Sequence, residues 1–76
     1  MEQLFIEKFK EAVEVESVAL SVETKFRELE EWDSLAGLSV IAMIDEEYDV
    51  ILEGNEFKSL ETIGELISAI QAKQNN

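Results

Sequence analysis

The chain of 76 residues carries 18 acidic against 6 basic side chains, a formal charge of −12, and has neither cysteine nor histidine. This excludes disulfides, thiolate metal sites, a cysteine nucleophile, and the usual general base and zinc ligand; the charge repels nucleic-acid phosphates and anionic lipid and calls for partners with basic surfaces. The length allows one domain, residues 1–76, near the limit at which a single core holds without staples, and 46% hydrophobic residues at helical spacing argue for folding over disorder.

Phe5, Phe9, Ala12 and Val13 fall at the i, i+4, i+7, i+8 spacing of one helical face, with Glu7, Lys8, Lys10, Glu11 and Glu14 opposite, so a first helix is predicted from Glu2 to about Val15. Its start, Met1-Glu2-Gln3-Leu4, lacks the positive charge of a secretory signal, and a cytoplasmic location is the default expectation. From Glu16 to Asp33 no period holds, and the segment reads as a long loop. Loops of this length are functional or pinned by their own side chains; Val18, Leu20, Val22, Phe26 and Leu29 are the candidate pins, with Phe26 expected to be buried. Trp32 has two readings, a cover over the base of the second helix, which is the better one, and part of a docking surface.

The second helix is predicted from Ser34 to about Tyr48 with Asp33 as N-cap, whose carboxylate accepts from orphan amides and leaves Ser34 pointing outward. Gly37, Val40, Ile41, Ile44 and Tyr48 line one face, yet Leu35, Leu38, Ala42 and Met43 lie outside that stripe, so the helix is apolar over more of its circumference than a surface helix needs. Either the loop and a neighbouring helix bury this excess, or it serves a protein partner or an attached acyl chain, with Leu38 and Met43 the leading contacts. The run from Leu35 to Ile44 is too short to span a bilayer, so no membrane insertion is expected. Gly54-Asn55 marks a turn before a short third helix around Glu56-Phe57-Lys58. Ser59 is the expected N-cap of a last helix from Leu60 to about Lys73, in which Ile63, Leu66, Ile67 and Ile70 repeat at helical spacing. The expected fold is all-α, a small four-helix bundle of three principal helices and one short third helix, with a long loop between helices one and two.

Ser34 is the best candidate for chemistry. A hydroxyl at a helix N-terminus sits beside unpaired N–H groups and the positive end of the dipole, a favourable field for a phosphodiester built onto it, without a basic residue. Asp33-Ser34-Leu35 resembles the attachment motif of the acyl carrier protein family, and the small size, acidity, long loop, acidic end of the second helix and amphipathic last helix extend the likeness over nearly the whole chain. The resemblance implies a four-helix bundle in which a phosphopantetheinyl transferase moves 4'-phosphopantetheine from coenzyme A onto Ser34, flanked by Asp33 and Leu35. It further implies that the arm's thiol holds acyl or aminoacyl groups as thioesters, and that a loading enzyme and a downstream acyltransferase or synthase dock on Leu35, Leu38, Ser39, Met43, Asp45 and Glu46. Where fatty-acid-synthesis members carry carboxylates after the serine, Ala36 and Ser39 stand here, while Asp45, Glu46 and Glu47 keep the acidic end. With Trp32, this points to a stand-alone, specialised carrier for a polyketide, peptide, polysaccharide or similar pathway.

Other classes fit less well. A helical adaptor that binds partners without modification uses Ser34 only at the helix start, where serine is in general structural. Calcium binding by Asp45, Glu46, Glu47, Asp49, Glu53 and Glu56 fails on spacing, with Val50 where the calcium loop needs glycine. An enzyme lacks a base for Ser34, and Lys25, Arg27, Lys58 and Lys73 read as surface solvation, as do Lys8 and Lys10. Charge repulsion favours a monomer.

Overall fold

The computed structural model describes residues 2–14 and 19–74. The first helix, α1 (Glu2–Val13), buries Phe5, Phe9 and Val13, three of the four residues on its predicted apolar face. It ends where Glu14 takes a left-handed backbone at φ 62°; the expected continuation to Val15, and the pin at Val18, lie outside the described residues.

The long connection is tied by its main chain to the start of the last helix. The amide of Phe26 donates to the Glu61 carbonyl at 3.2 Å, that of Ile63 to Thr24 at 3.1 Å and that of Gly64 to Val22 at 2.9 Å, and Lys25 and Thr62 pair as an isolated antiparallel bridge. Such pairing satisfies backbone groups that a loop lying on a core would otherwise leave dry. A single 3-10 turn, Phe26–Glu28, drops Phe26 into the interior, where it is fully buried as expected. Leu20, Val22 and Leu29 pack half-buried against the core.

The second helix, α2 (Ser34–Tyr48), has the predicted bounds and the predicted cap: Asp33 Oδ1 accepts from the Ala36 amide at 2.7 Å. It stops at Asp49, left-handed at φ 56°, whose amide donates to the Asp45 carbonyl. Its buried face comprises Ala36, Val40, Met43 and Ile44, so it is turned from the expected stripe, and Gly37, Ile41 and Tyr48 are only half-buried. Met43, expected as a partner contact, is a core residue. The cause is α1, which packs along α2 and shares a groove with Met43, Ser39 and Ala42 lined on its own side by Lys8, Glu11 and Ala12.

The third helix, α3 (Gly54–Lys58), buries Phe57. Ser59 ends α3 rather than starting the next helix: its hydroxyl donates to the Glu56 carbonyl at 2.7 Å, and its amide turns back to α3 as well. The last helix, α4 (Ile63–Gln74), therefore begins later than expected and is capped by Thr62 and Glu65. Thr62 Oγ1 accepts from the Glu65 amide at 3.1 Å, and Glu65 Oε1 accepts from the amides of Glu61 at 2.6 Å and Thr62 at 3.2 Å. This reciprocal capping box satisfies more orphan donors than a lone serine can. The two amides hold the Glu65 carboxyl below its usual pKa range. Ile63, Leu66, Ile67 and Ile70 all face inward.

Trp32 closes the base of α2. Its ring lies nearly parallel to Phe9 at 6.2 Å and to Phe57 at 6.1 Å, and tilts against Phe26 at 4.9 Å. Offset and tilted aromatic pairs at these separations add to simple area burial. Among the described residues the arrangement is an all-helical bundle of four α-helices, and none of them is long and apolar enough to cross a membrane.

Candidate functional site at the mouth of the second helix

Ser34 is the first residue of α2 and is exposed. Because Asp33 takes the capping role, the Ser34 hydroxyl has no hydrogen-bond partner among the described residues. The amide of Gly37 returns to the Asp33 carbonyl at 3.2 Å and that of Ala36 is held by the Asp33 side chain, which leaves the amides of Ser34 and Leu35 as the open donors of the first turn. Open donors at the positive end of a fifteen-residue helix favour an anionic group attached there.

A groove of about 320 Å³ opens beside the hydroxyl. Ser34, Gly37, Leu38 and Ile41 form its α2 side, the Trp32 and Phe57 rings contribute apolar surface, and Arg27, Asp33, Gly54 and Lys58 complete the lining. Gly37 stands inside a helix, where glycine costs about 1 kcal/mol against alanine. Packing does not demand it: a Cβ there would meet Trp32 at 3.5 Å and Phe57 at 3.6 Å, both ordinary contacts. What the missing methyl provides is open space between Ser34 and the aromatic rings.

Arg27 departs from the surface-solvation reading. Its Nε donates to the Leu60 carbonyl at 3.2 Å and its Nη2 to the Phe57 carbonyl, while the guanidinium lies 5.2 Å above the Phe26 ring and 5.1 Å above that of Phe57. It thereby locks the end of α3 to the 3-10 turn on the groove's far side. Sequence reading missed Arg27, Phe57 and Lys58 as parts of this site, since only the fold brings them to Ser34; the helix-internal glycine was the available signal.

Of the residues expected to meet partners, Leu35 is 71% and Leu38 64% exposed, and Ser39, Asp45 and Glu46 are also at the surface. Met43 is buried and reaches the surface only at the floor of the groove between α1 and α2. Ala36 is buried as a methyl at the floor of a surface groove that it lines with Glu31, Asp33, Leu35 and Ser39. Asp45 and Glu46 have no ion-pair partner among the described residues, whereas Glu47 is tied to Lys8 at 3.2 Å, a contact that raises the Lys8 pKa.

The residues fit a phosphopantetheine arm: an unengaged hydroxyl to bear it, open amides beside the phosphate position, and an uncrowded apolar groove along its path. The solution NMR structure of a holo acyl carrier protein from Geobacter metallireducens superposes with a TM-score of 0.80 at 22% identity, covering 93% of this chain and 82% of that one. This likeness establishes the fold. Comparison with curated proteins gives no significant match. The sequence itself matches the family described as phosphopantetheine attachment site over residues 3–70, and the chain belongs to that family, whose group is 4'-phosphopantetheine.

Proposed function

We propose that Ser34 bears the arm, and that the chain, as one carrier domain over residues 1–76, delivers acyl or aminoacyl groups between enzymes of a biosynthetic pathway. The observation that carries this reading is the exposed, unpartnered hydroxyl of Ser34 at the first position of α2. The bound group supplies a flexible thiol that holds the cargo as a thioester, chemistry the cysteine-free chain lacks. The chain's own residues orient and present. Asp33 fixes the first turn so that the hydroxyl stays outward, and the Trp32 ring keeps the base of α2 from swinging inward. No histidine stands by to take the hydroxyl proton, so that task falls to the phosphopantetheinyl transferase.

Leu35, Leu38 and Ser39 form the contact face near the serine, and Asp45 and Glu46 supply steering toward basic docking surfaces on the transferase, the loading enzyme and the downstream acyltransferase or synthase. The apolar character of the face close to Ser34 supports a specialised pathway over housekeeping fatty acid synthesis.

Co-expression with a broad-specificity phosphopantetheinyl transferase, followed by intact mass measurement, tests the assignment. The wild-type chain gains the mass of the arm and Ser34→Ala does not. A gain that survives in Ser34→Ala moves the attachment elsewhere, and no gain at all removes the carrier role.

A further inference from the structure

The groove beside Ser34 has a local charge opposite to that of the whole chain. Arg27 and Lys58 both line it, and neither meets a carboxylate in an ion pair among the described residues. Among the described residues Lys8 and Lys73 are paired to Glu47 and Glu56, whereas Lys10 and Lys25, like Arg27 and Lys58, are in no ion pair. Of the four cations left without an ion pair among the described residues, in a chain with 18 carboxylates for 6 cations, Arg27 and Lys58 are the two that meet in one groove. The single acid of the groove, Asp33, spends one carboxylate oxygen on the Ala36 amide.

Arg27 sharpens the point. A guanidinium has five N–H donors; two are bound to the Leu60 and Phe57 carbonyls, which are neutral. The head group is thus positioned, half-buried between two phenyl faces, with its charge unmatched. A partly desolvated cation without a counter-ion is costly and gains most from an anion brought to it. Lys58 is exposed and flexible, suited to follow such an anion.

We propose that Arg27 and Lys58 form an anion-receiving rim that binds a negatively charged oxygen group delivered along the groove from Ser34. This rests on the attachment proposed above. Two sources present that chemistry, the phosphodiester of the arm and a free carboxylate at the far end of a dicarboxylic acyl cargo.

The experiment compares four forms of the full chain: unmodified, arm-bearing, and arm-bearing with a neutral acetyl or an anionic succinyl group, each installed from the matching coenzyme A ester and checked by intact mass. The readouts are the Arg27 Nε–H and Lys58 Nζ resonances and the melting temperature, in wild type and in Lys58→Gln. If the phosphodiester is the anion, both resonances shift on arm attachment and Lys58→Gln removes about 2–4 °C of the arm-induced rise in melting temperature. If the carboxylate is the anion, the shifts and the Lys58-dependent rise come only with the succinyl form. Resonances that stay in place in every form, with an arm-induced rise unchanged by Lys58→Gln, overturn the rim. An absent mass gain overturns the attachment and the rim with it, so the two failures are told apart by the first measurement.

Discussion

Helix α2 is the more apolar of α2 and α4, and the two use their apolar residues in opposite ways. In α4 the residues Ile63, Leu66, Ile67 and Ile70 all turn into the core, and the outward positions are polar or small. In α2 the core takes Ala36, Val40, Met43 and Ile44, while Leu35 and Leu38 stay in water beside Ser34. Folding alone accounts for α4. It does not account for α2, where two leucines remain exposed although each would be worth about 1.5–3 kcal/mol if buried. One helix turns all of its large apolar residues inward, and the other leaves two of them at the surface, where the proposed partners would cover them.

The largest effect should come from emptying the α4 face. Leu66→Ala leaves a cavity at a fully buried position and is expected to cost about 2–5 kcal/mol, seen as a lower denaturant midpoint. Leu38→Ala, the same chemical change on the exposed face of α2, should shift the midpoint by no more than about 0.5 kcal/mol while weakening transfer-enzyme docking, measured as a higher KM for the transferase. Equal destabilisation by the two would erase the contrast. Next in size, Asp33→Ala removes the α2 cap and should cost about 0.5–2 kcal/mol by thermal or urea unfolding. Gly37→Ala is expected to stabilise α2 by up to about 1 kcal/mol, since its contacts are ordinary, and to narrow the groove; a destabilised variant would show the site to be tighter than its geometry.

A smaller effect distinguishes the helix starts by pH. The Glu65 carboxyl is held below its usual pKa of 4.5 by the Glu61 and Thr62 amides. A depressed folded-state pKa contributes stability that is present above the unfolded value and lost as pH falls through the folded one. The α4 cap should therefore weaken on acidification below about pH 4.5, and Glu65→Gln should flatten that part of a melting-temperature profile. Raising ionic strength at neutral pH should lift the melting temperature of every variant by screening the −12 charge.

The local signals in the sequence were the ones that transferred to the structure. Helix α2 was legible to the residue because its start depends on Asp33 and its end follows the last apolar position, both local matters. The start of α4 was misplaced because Ser59 and Thr62 are both reasonable caps in isolation. The sequence Thr62-x-x-Glu65 held the deciding signal, a capping box, and Glu65 tips the choice by accepting two amides at once. The burial of Met43, one of the two readings open for it, turns on how far the α2 face rotates toward α1, which a helical stripe does not fix. The Lys25–Thr62 bridge and the groove around Arg27 rest on contacts between residues some thirty or more apart in the chain, which periodicity does not register.

The stitching of the long connection onto α4 is made by main-chain groups, from Val22, Thr24 and Phe26 to Gly64, Ile63 and Glu61. The exposed side chains along that strap, unlike buried Phe26, can consequently be exchanged for charge or contour without removing the bonds that anchor it, which leaves its outer surface free to be retuned for new enzymes. The sensitive stitch is Gly64, where even a methyl would press to 3.0 Å from the Val22 oxygen. A single added carbon there, on the side of the loop tied to α4, would loosen the strap that leads to the serine.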